Sequence, residues 1–310
     1  MFRGQFINKL KEYAKKDPRL FMITADLGFK LFDNFREECP EQFMNIGVAE
    51  ANMMAVGAGM ALCGKNVFVY SMVPFVTSRA HDQIRVDVSG HNLAVKIVGV
   101  GAGVGYGLEG MTHLALDDIS WMRSLPNMSI VCPADTKEMD ALLPTIIEAQ
   151  HPVYVRLIKG QAPDIHTQEL KAISIGQGLT VQEGKDVALL SFGSGISKCL
   201  EAAAQLTAEK SWKVGVYSFP WIKPIDKTLL KQIADHYPIV ISMEEHSEAG
   251  GFGTIVAENL MEMGYKGKFK KVAFPDKLPE VIGHGPYLCE WAGVTTKGLI
   301  EAIESVKAQL

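Results

Sequence analysis

The sequence predicts an α/β protein built from two doubly wound domains in succession, and three observations carry that expectation. Short apolar runs alternate with helical or glycine-rich stretches along the chain, the pattern of parallel strands joined by crossover helices. The alternation breaks once, between Ile158 and Gly178, where Lys159-Gly-Gln-Ala-Pro-Asp-Ile-His-Thr-Gln168 carries neither a helical nor a strand period. A length of 310 residues with 47% hydrophobic and 21% charged residues allows about two well-packed domains.

In chain order, Phe6, Ile7, Leu10 and Tyr13 recur at helical spacing, and Leu20-Phe-Met-Ile-Thr-Ala25 reads as a buried strand ending at Asp26. A small-residue apolar helix starts near Glu50. Further short strands are expected at Val67 to Tyr70, Ala94 to Val98, Ser129 to Cys132 and Val153 to Arg156. After the break, a second series comprises Val187 to Ser191, Lys213 to Tyr217 and Ile239 to Ser242. The domains are accordingly placed at 1–175 and 176–310. No internal repeat, heptad run or low-complexity segment interrupts them.

Composition removes several function classes. A net charge of -4 with scattered Lys and Arg gives no basic field for nucleic acid. The cysteines Cys39, Cys63, Cys132, Cys199 and Cys289 form an odd set without a Cys-x-x-Cys pair, which argues for reduced thiols and a cytoplasmic home. The charged, amphipathic N-terminus has no secretory pattern, and no apolar run approaches the roughly 18 residues of a membrane span. The eight histidines form no i, i+4 pair with an acidic partner, so no metal site is assigned to this chain.

Two phosphate-binding patterns are decoys. Gly59-Met-Ala-Leu-Cys-Gly64-Lys65 resembles a P-loop, but Asn66 replaces the magnesium-binding hydroxyl, and the glycines close a helix where a P-loop opens one. Gly105-Tyr-Gly107-Leu-Glu-Gly110 follows a strand but precedes no helix able to receive a pyrophosphate.

The chemistry centres on Glu50, within Asn45-Ile-Gly-Val-Ala-Glu50-Ala-Asn-Met-Met54. Such a carboxylate is either a first-turn charge facing the helix dipole or a catalytic acid held out of water. Flanking Ala49, Ala51, Met53 and Met54 would desolvate it and let it hold or share a proton. A second constellation is Gly110-Met-Thr-His113, followed fourteen residues after the histidine by Asn127 in Arg123-Ser-Leu-Pro-Asn127.

Together these motifs resemble the pyrimidine-binding half of transketolases and related thiamine diphosphate enzymes, and the resemblance continues through Met243-Glu-Glu-His-Ser-Glu-Ala-Gly-Gly-Phe-Gly253 of the second domain. In that family the glutamate hydrogen-bonds the aminopyrimidine ring and promotes loss of the thiazolium proton. The resemblance implies that Glu50 and His113 are catalytic, with His113 facing the substrate. Asp26, in Thr-Ala-Asp-Leu, would lie beside the cofactor, and Phe75 would stack on the pyrimidine, although ungapped alignment puts the expected ring at Val76. Arg3, 23 residues before Asp26, and Arg156 match arginines that bind a substrate phosphate.

Three departures bear on the substrate. Gly101 stands where transketolases supply a histidine, Lys30 where they use a serine, and Glu109 where an aspartate is customary. A lost imidazole, an added ammonium and a longer carboxylate reshape the sugar site, so an anionic sugar of a non-standard kind is expected.

The family's Gly-Asp-Gly motif, which holds the diphosphate and a magnesium or calcium ion (Mg2+ or Ca2+), occurs nowhere in the sequence. The resemblance therefore implies the C-terminal subunit of a split transketolase. A partner N-terminal subunit would bind diphosphate and metal, and two copies of each would form a heterotetramer. The rivals are the beta subunit of a 2-oxo-acid dehydrogenase decarboxylase, a deoxyxylulose phosphate synthase-like condensing enzyme suggested by Arg79-Ala-His-Asp-Gln83, and a non-catalytic assembly subunit.

Overall fold

The computed structural model describes residues 2–161 and 163–308. The first six strands are β1 (Leu20–Thr24), β2 (Phe43–Asn45), β3 (Asn66–Met72), β4 (Val95–Val100), β5 (Ser129–Val131) and β6 (Val153–Leu157). The remaining six are β7 (Leu179–Gln182), β8 (Val187–Ser191), β9 (Val214–Ser218), β10 (Trp221–Lys223), β11 (Ile239–Ser247) and β12 (Lys268–Phe274). Every residue of β1, β4 and β6 is buried, as strands covered by helices on both faces require.

The first sheet runs β2-β1-β3-β4-β6-β5-β10 and is parallel except for β10, which pairs antiparallel with β5. The second runs β7-β9-β8-β11-β12, with β7 antiparallel to β9. In the first sheet the chain steps from β1 to β2 on one side and then crosses to β3 on the other. Such a reversal opens a crevice at the carboxyl ends of β1 and β3, where ligands of α/β proteins bind. Register aligns Thr24 with both Asn45 and Tyr70, so Asp26 and Gly47 leave the sheet level with the end of β3, where Ser71 is still paired to β4.

One apolar layer packs the helices Phe2–Ala14 and Thr136–Glu148 against the first sheet, through Phe6, Leu10, Leu142 and Ile146. A middle layer includes Met53 and Met54 of the helix Glu50–Leu62 and continues to Leu190, Tyr217 and Phe252 of the second sheet and its helices. The two sheets thus share a core. The third layer seats the helices Gly195–Lys210 and Thr296–Lys307 on the far face of the second sheet. Among the described residues no helix is long and apolar enough to cross a membrane.

A buried ion pair and a buried lysine sit inside this frame. Arg156 on β6 donates from Nε to Asp118 Oδ2 at 2.7 Å and from Nη2 to the carbonyls of Ala115 and Glu245 at 2.9 and 3.1 Å. Tyr154 donates to the same carboxylate at 2.7 Å. Burial pushes the Asp118 carboxyl up, but the Arg156 charge and the hydrogen bonds outweigh it and hold the group below the usual carboxylate range. Lys96, fully buried on β4, donates to Asn66 Oδ1 and the Ala149 carbonyl, both at 2.7 Å. Burial lowers its ammonium to about 7.

Replacing Arg156 by Ala strands a buried carboxylate and should cost about 3–5 kcal/mol, read as a lower urea midpoint. Arg156→Met combined with Asp118→Leu should recover much of the loss. The Lys96 site gives a pH dependence at neutral to alkaline pH. Between about pH 7 and pH 10 the unfolded lysine holds a proton that the folded one has released, so stability should rise with pH across that window. Urea denaturation of Lys96→Met should show that slope removed.

Candidate active site

Around the carboxyl ends of β1, β2 and β3 stand several of the side chains singled out in the sequence. Asn45, at the end of β2, ties two of the strand exits together: its Oδ1 accepts from the backbone N–H groups of Asp26 and Gly47, and its Nδ2 donates to Asp26 Oδ1, all at 3.0 Å. Asp26 is exposed there, with a φ of 54°. Gly47, at φ 77°, makes the turn into the helix Glu50–Leu62.

Glu50 points inward. It is 2% exposed, so it is not a surface charge complementing the helix dipole. Oε1 accepts from Ser71 Oγ at 3.1 Å and Oε2 from Arg79 Nη1 at 2.8 Å. The Arg79 guanidinium also lies 4.2 Å from the centroid of the Phe75 ring. Phe75 and Val76 share the short helix Val73–Val76, and the helical rotation between them puts Val76 wholly in the core while Phe75 stays partly exposed. The Phe75 ring meets His113 edge to face at 5.0 Å between centroids.

His113 ends a tight turn, Met111–His113, in the loop that follows β4. Thr112 Oγ1 lies 2.9 Å from His113 Nδ1. The loop is closed by Ala115 N–H donating to Gly103 at 2.8 Å. Its far side leans on the second sheet: a methyl group added at Gly103 would lie 2.6 Å from Glu245 Oε2.

Next to His113 the geometry explains the glycine at 101. Gly101 has φ 91°, and a Cβ there would come within 2.2 Å of the Tyr106 ring, which occupies the space a side chain at 101 would need. The Tyr106 ring lies 6.2 Å from that of His113. Arg3 Nη1 approaches the Tyr106 hydroxyl at 3.5 Å, and Lys159 Nζ stands 3.8 Å over the ring. Lys159 also faces Glu109 at 3.6 Å.

The structure therefore brings Glu50, Phe75 and His113 into one chain of contacts, with Arg3 and Glu109 adjoining through Tyr106 and Lys159. Asp26 lies one strand away, lining with Asn45 and Phe29 a cavity of about 450 Å³. Lys30 is exposed on the loop beyond it, at φ 61°. Arg156 requires correction. Expected to face a substrate phosphate, it is 2% exposed and engaged by Asp118 and two carbonyls, so the cation presented near this end of β6 is Lys159, three residues on.

Ser71, Arg79, Tyr106 and Lys159 were missed. Arg79 follows Phe75 by four residues, in the turn after the helix Val73–Val76, close enough in sequence for a guanidinium to reach a ring. A buried carboxylate joined through a guanidinium to a partly exposed phenyl ring, which an imidazole also meets, suits a planar nitrogen heterocycle, as an aminopyrimidine is.

The fit between Gly101 and Tyr106 can be measured. Gly101→Ala should destabilise the chain by about 1–3 kcal/mol through backbone strain and the ring clash, and adding Tyr106→Ala should relieve the clash but not the strain; thermal melts of both variants read this.

Comparison with known proteins agrees with this geometry. Residues 2–164 match the transketolase pyrimidine binding domain, and residues 176–299 match the transketolase C-terminal domain. The chain is 34% identical over 261 residues to an apulose-4-phosphate transketolase subunit of Phocaeicola vulgatus, covering 84% of this chain and 83% of that one. It is 33% identical over 305 residues to the 6-deoxy-6-sulfo-D-fructose transketolase subunit SqwH of Clostridium sp. strain MSTE9, covering 98% and 94%. A solved split-gene transketolase, described as an inactive beta4 tetramer, is similar at a TM-score of 0.88 and 33% identity, over 98% of this chain and 97% of that one. With both domains matched and the glutamate buried where the strand order reverses, the chain belongs to the transketolase family, whose members depend on thiamine diphosphate.

Proposed function

We propose that the chain is the C-terminal subunit of a two-chain transketolase that moves a two-carbon ketol unit from a ketose to an aldose, using an anionic sugar other than the ordinary pentose phosphates. The observation that carries this reading is Glu50, a carboxylate 2% exposed at the strand switch point and linked through Arg79 to Phe75 and on to His113. The names of the two relatives support the substrate class, one being a phosphate and the other a sulfo sugar.

Bound at this site, thiamine diphosphate supplies the nucleophilic carbon that makes cleavage beside a ketose carbonyl feasible. On this chain Glu50 and Phe75 would hold the pyrimidine, with Asp26 alongside. Glu50 would take up or return a proton at its carboxylate oxygen, in a site whose burial strengthens that hydrogen bond. Nδ1 of His113 lies against Thr112 Oγ1, which leaves Nε2 to face the sugar; with Nδ1 accepting from the threonine hydroxyl, Nε2 would carry the ring proton and donate toward the sugar oxygen that gains negative charge. Arg3 and Lys159 would draw in the anionic end of the sugar, with Glu109 and Lys30 shaping the rest.

The partner N-terminal subunit would hold the diphosphate and the Mg2+ or Ca2+ ion, in a heterotetramer of two copies of each chain. Five unpaired cysteines, four of them buried, suit a reducing cytoplasm.

The test is reconstitution with the partner subunit. Glu50→Ala should lower kcat/KM by about 10³-fold or more, and His113→Ala by about 10²-fold. Full activity in Glu50→Ala would make the chain an assembly subunit, and reduction of a lipoyl acceptor would move it to the 2-oxo-acid dehydrogenases. The substrate assignment fails if xylulose 5-phosphate with ribose 5-phosphate reacts as fast as any other anionic sugar pair.

A further inference from the structure

Arg79 makes two contacts at once that have no structural need to coincide. Its Nη1 donates to Glu50 Oε2 at 2.8 Å, and its guanidinium carbon lies 4.2 Å from the centroid of Phe75. A planar, nitrogen-rich group is thus held between the carboxylate and the ring. The cofactor's aminopyrimidine, another planar nitrogen-rich group, would need those same two contacts to bind here. Oε1 is already taken by Ser71, so Oε2 is the oxygen on which the two groups compete.

The remaining geometry shows which group can yield. Glu50 is buried in the first turn of its helix and cannot turn to water. Arg79 is 47% exposed along its side chain, and its backbone is held independently, its N–H donating to the Pro74 carbonyl at 3.3 Å. Its guanidinium can swing into solvent without breaking the fold. Leaving, however, strips a buried carboxylate of its counter-charge, which is costly unless another donor arrives.

We propose that Arg79 is a displaceable occupant of the pyrimidine position, a positioning residue that neutralises Glu50 and keeps Phe75 in place until the cofactor replaces it. This rests on the thiamine diphosphate reading given above. Binding then requires the arginine to leave, so apparent affinity is reduced by the fraction of molecules in which it has left. The buried carboxylate is never without a hydrogen-bonded partner.

The experiment is isothermal titration of thiamine diphosphate, with magnesium present, into the chain assembled with its partner subunit. Arg79→Met should tighten the dissociation constant by about tenfold. Its cofactor-free melting temperature should fall, and the rise on adding cofactor should exceed that of the wild type. Arg79→Lys, which keeps the charge but not the plane, should lie between the two and covers the case in which the methionine variant does not fold. In Arg79→Gly, added guanidinium ion should compete with thiamine diphosphate, as it should not in the wild type. Unchanged or weaker binding in Arg79→Met and Arg79→Lys overturns the role given to the arginine alone. Failure of the wild-type complex to bind thiamine diphosphate overturns the cofactor reading along with it.

Discussion

The fork of Arg156 is the interaction on which the arrangement of the site depends. It joins β6 to the carboxylate of Asp118, to the carbonyl of Ala115 two residues beyond His113, and to the carbonyl of Glu245 on β11. A single buried guanidinium therefore sets the position of the histidine loop against both sheets. Lysine, with a compact charge on a flexible stem, has no planar fork to serve three directions. The charges need each other, since burial makes either one alone unfavourable.

With that loop fixed, the rest follows from where strands end. Parallel sheets bury their strands on both faces, so polar chemistry is confined to the residues just past the carboxyl edge. Asp26 and the turn at Gly47 that leads to Glu50 lie past that edge, and Ser71 stands beside them near the end of β3, because the register of β1, β2 and β3 brings these positions level. The loop after β4 adds His113 from the other side, and its glycines let Tyr106 and Glu245 approach the backbone closely.

Much of this was legible in the residues. The buried strands announced themselves as apolar runs, and Glu50 stood out as a lone acid before a helix of small apolar residues. What was not legible depends on contacts between distant segments. Arg156 and Lys159 are three residues apart at the end of one strand, and spacing alone could not tell which faces the crevice; the deciding group is Asp118, 38 residues earlier. The exchange of a side chain at 101 for the ring of Tyr106 looks in sequence like a simple loss. β10 was also missed, being three residues long and lodged in a sheet that its neighbours in sequence do not share.

That strand has a mechanical consequence. Trp221–Lys223 leaves the second sheet's territory, pairs with β5 at the border of the first, and returns. Its Trp221 is buried among side chains of the first sheet's outer layer. The later half of the chain therefore closes the free border of the earlier half, sealing backbone groups that would otherwise invite pairing with another molecule. The two halves cannot open and shut about a hinge without unzipping that border. Any movement that admits or releases a sugar must come from loops at the carboxyl edge, or from a neighbouring subunit, while the two sheets travel together as one block.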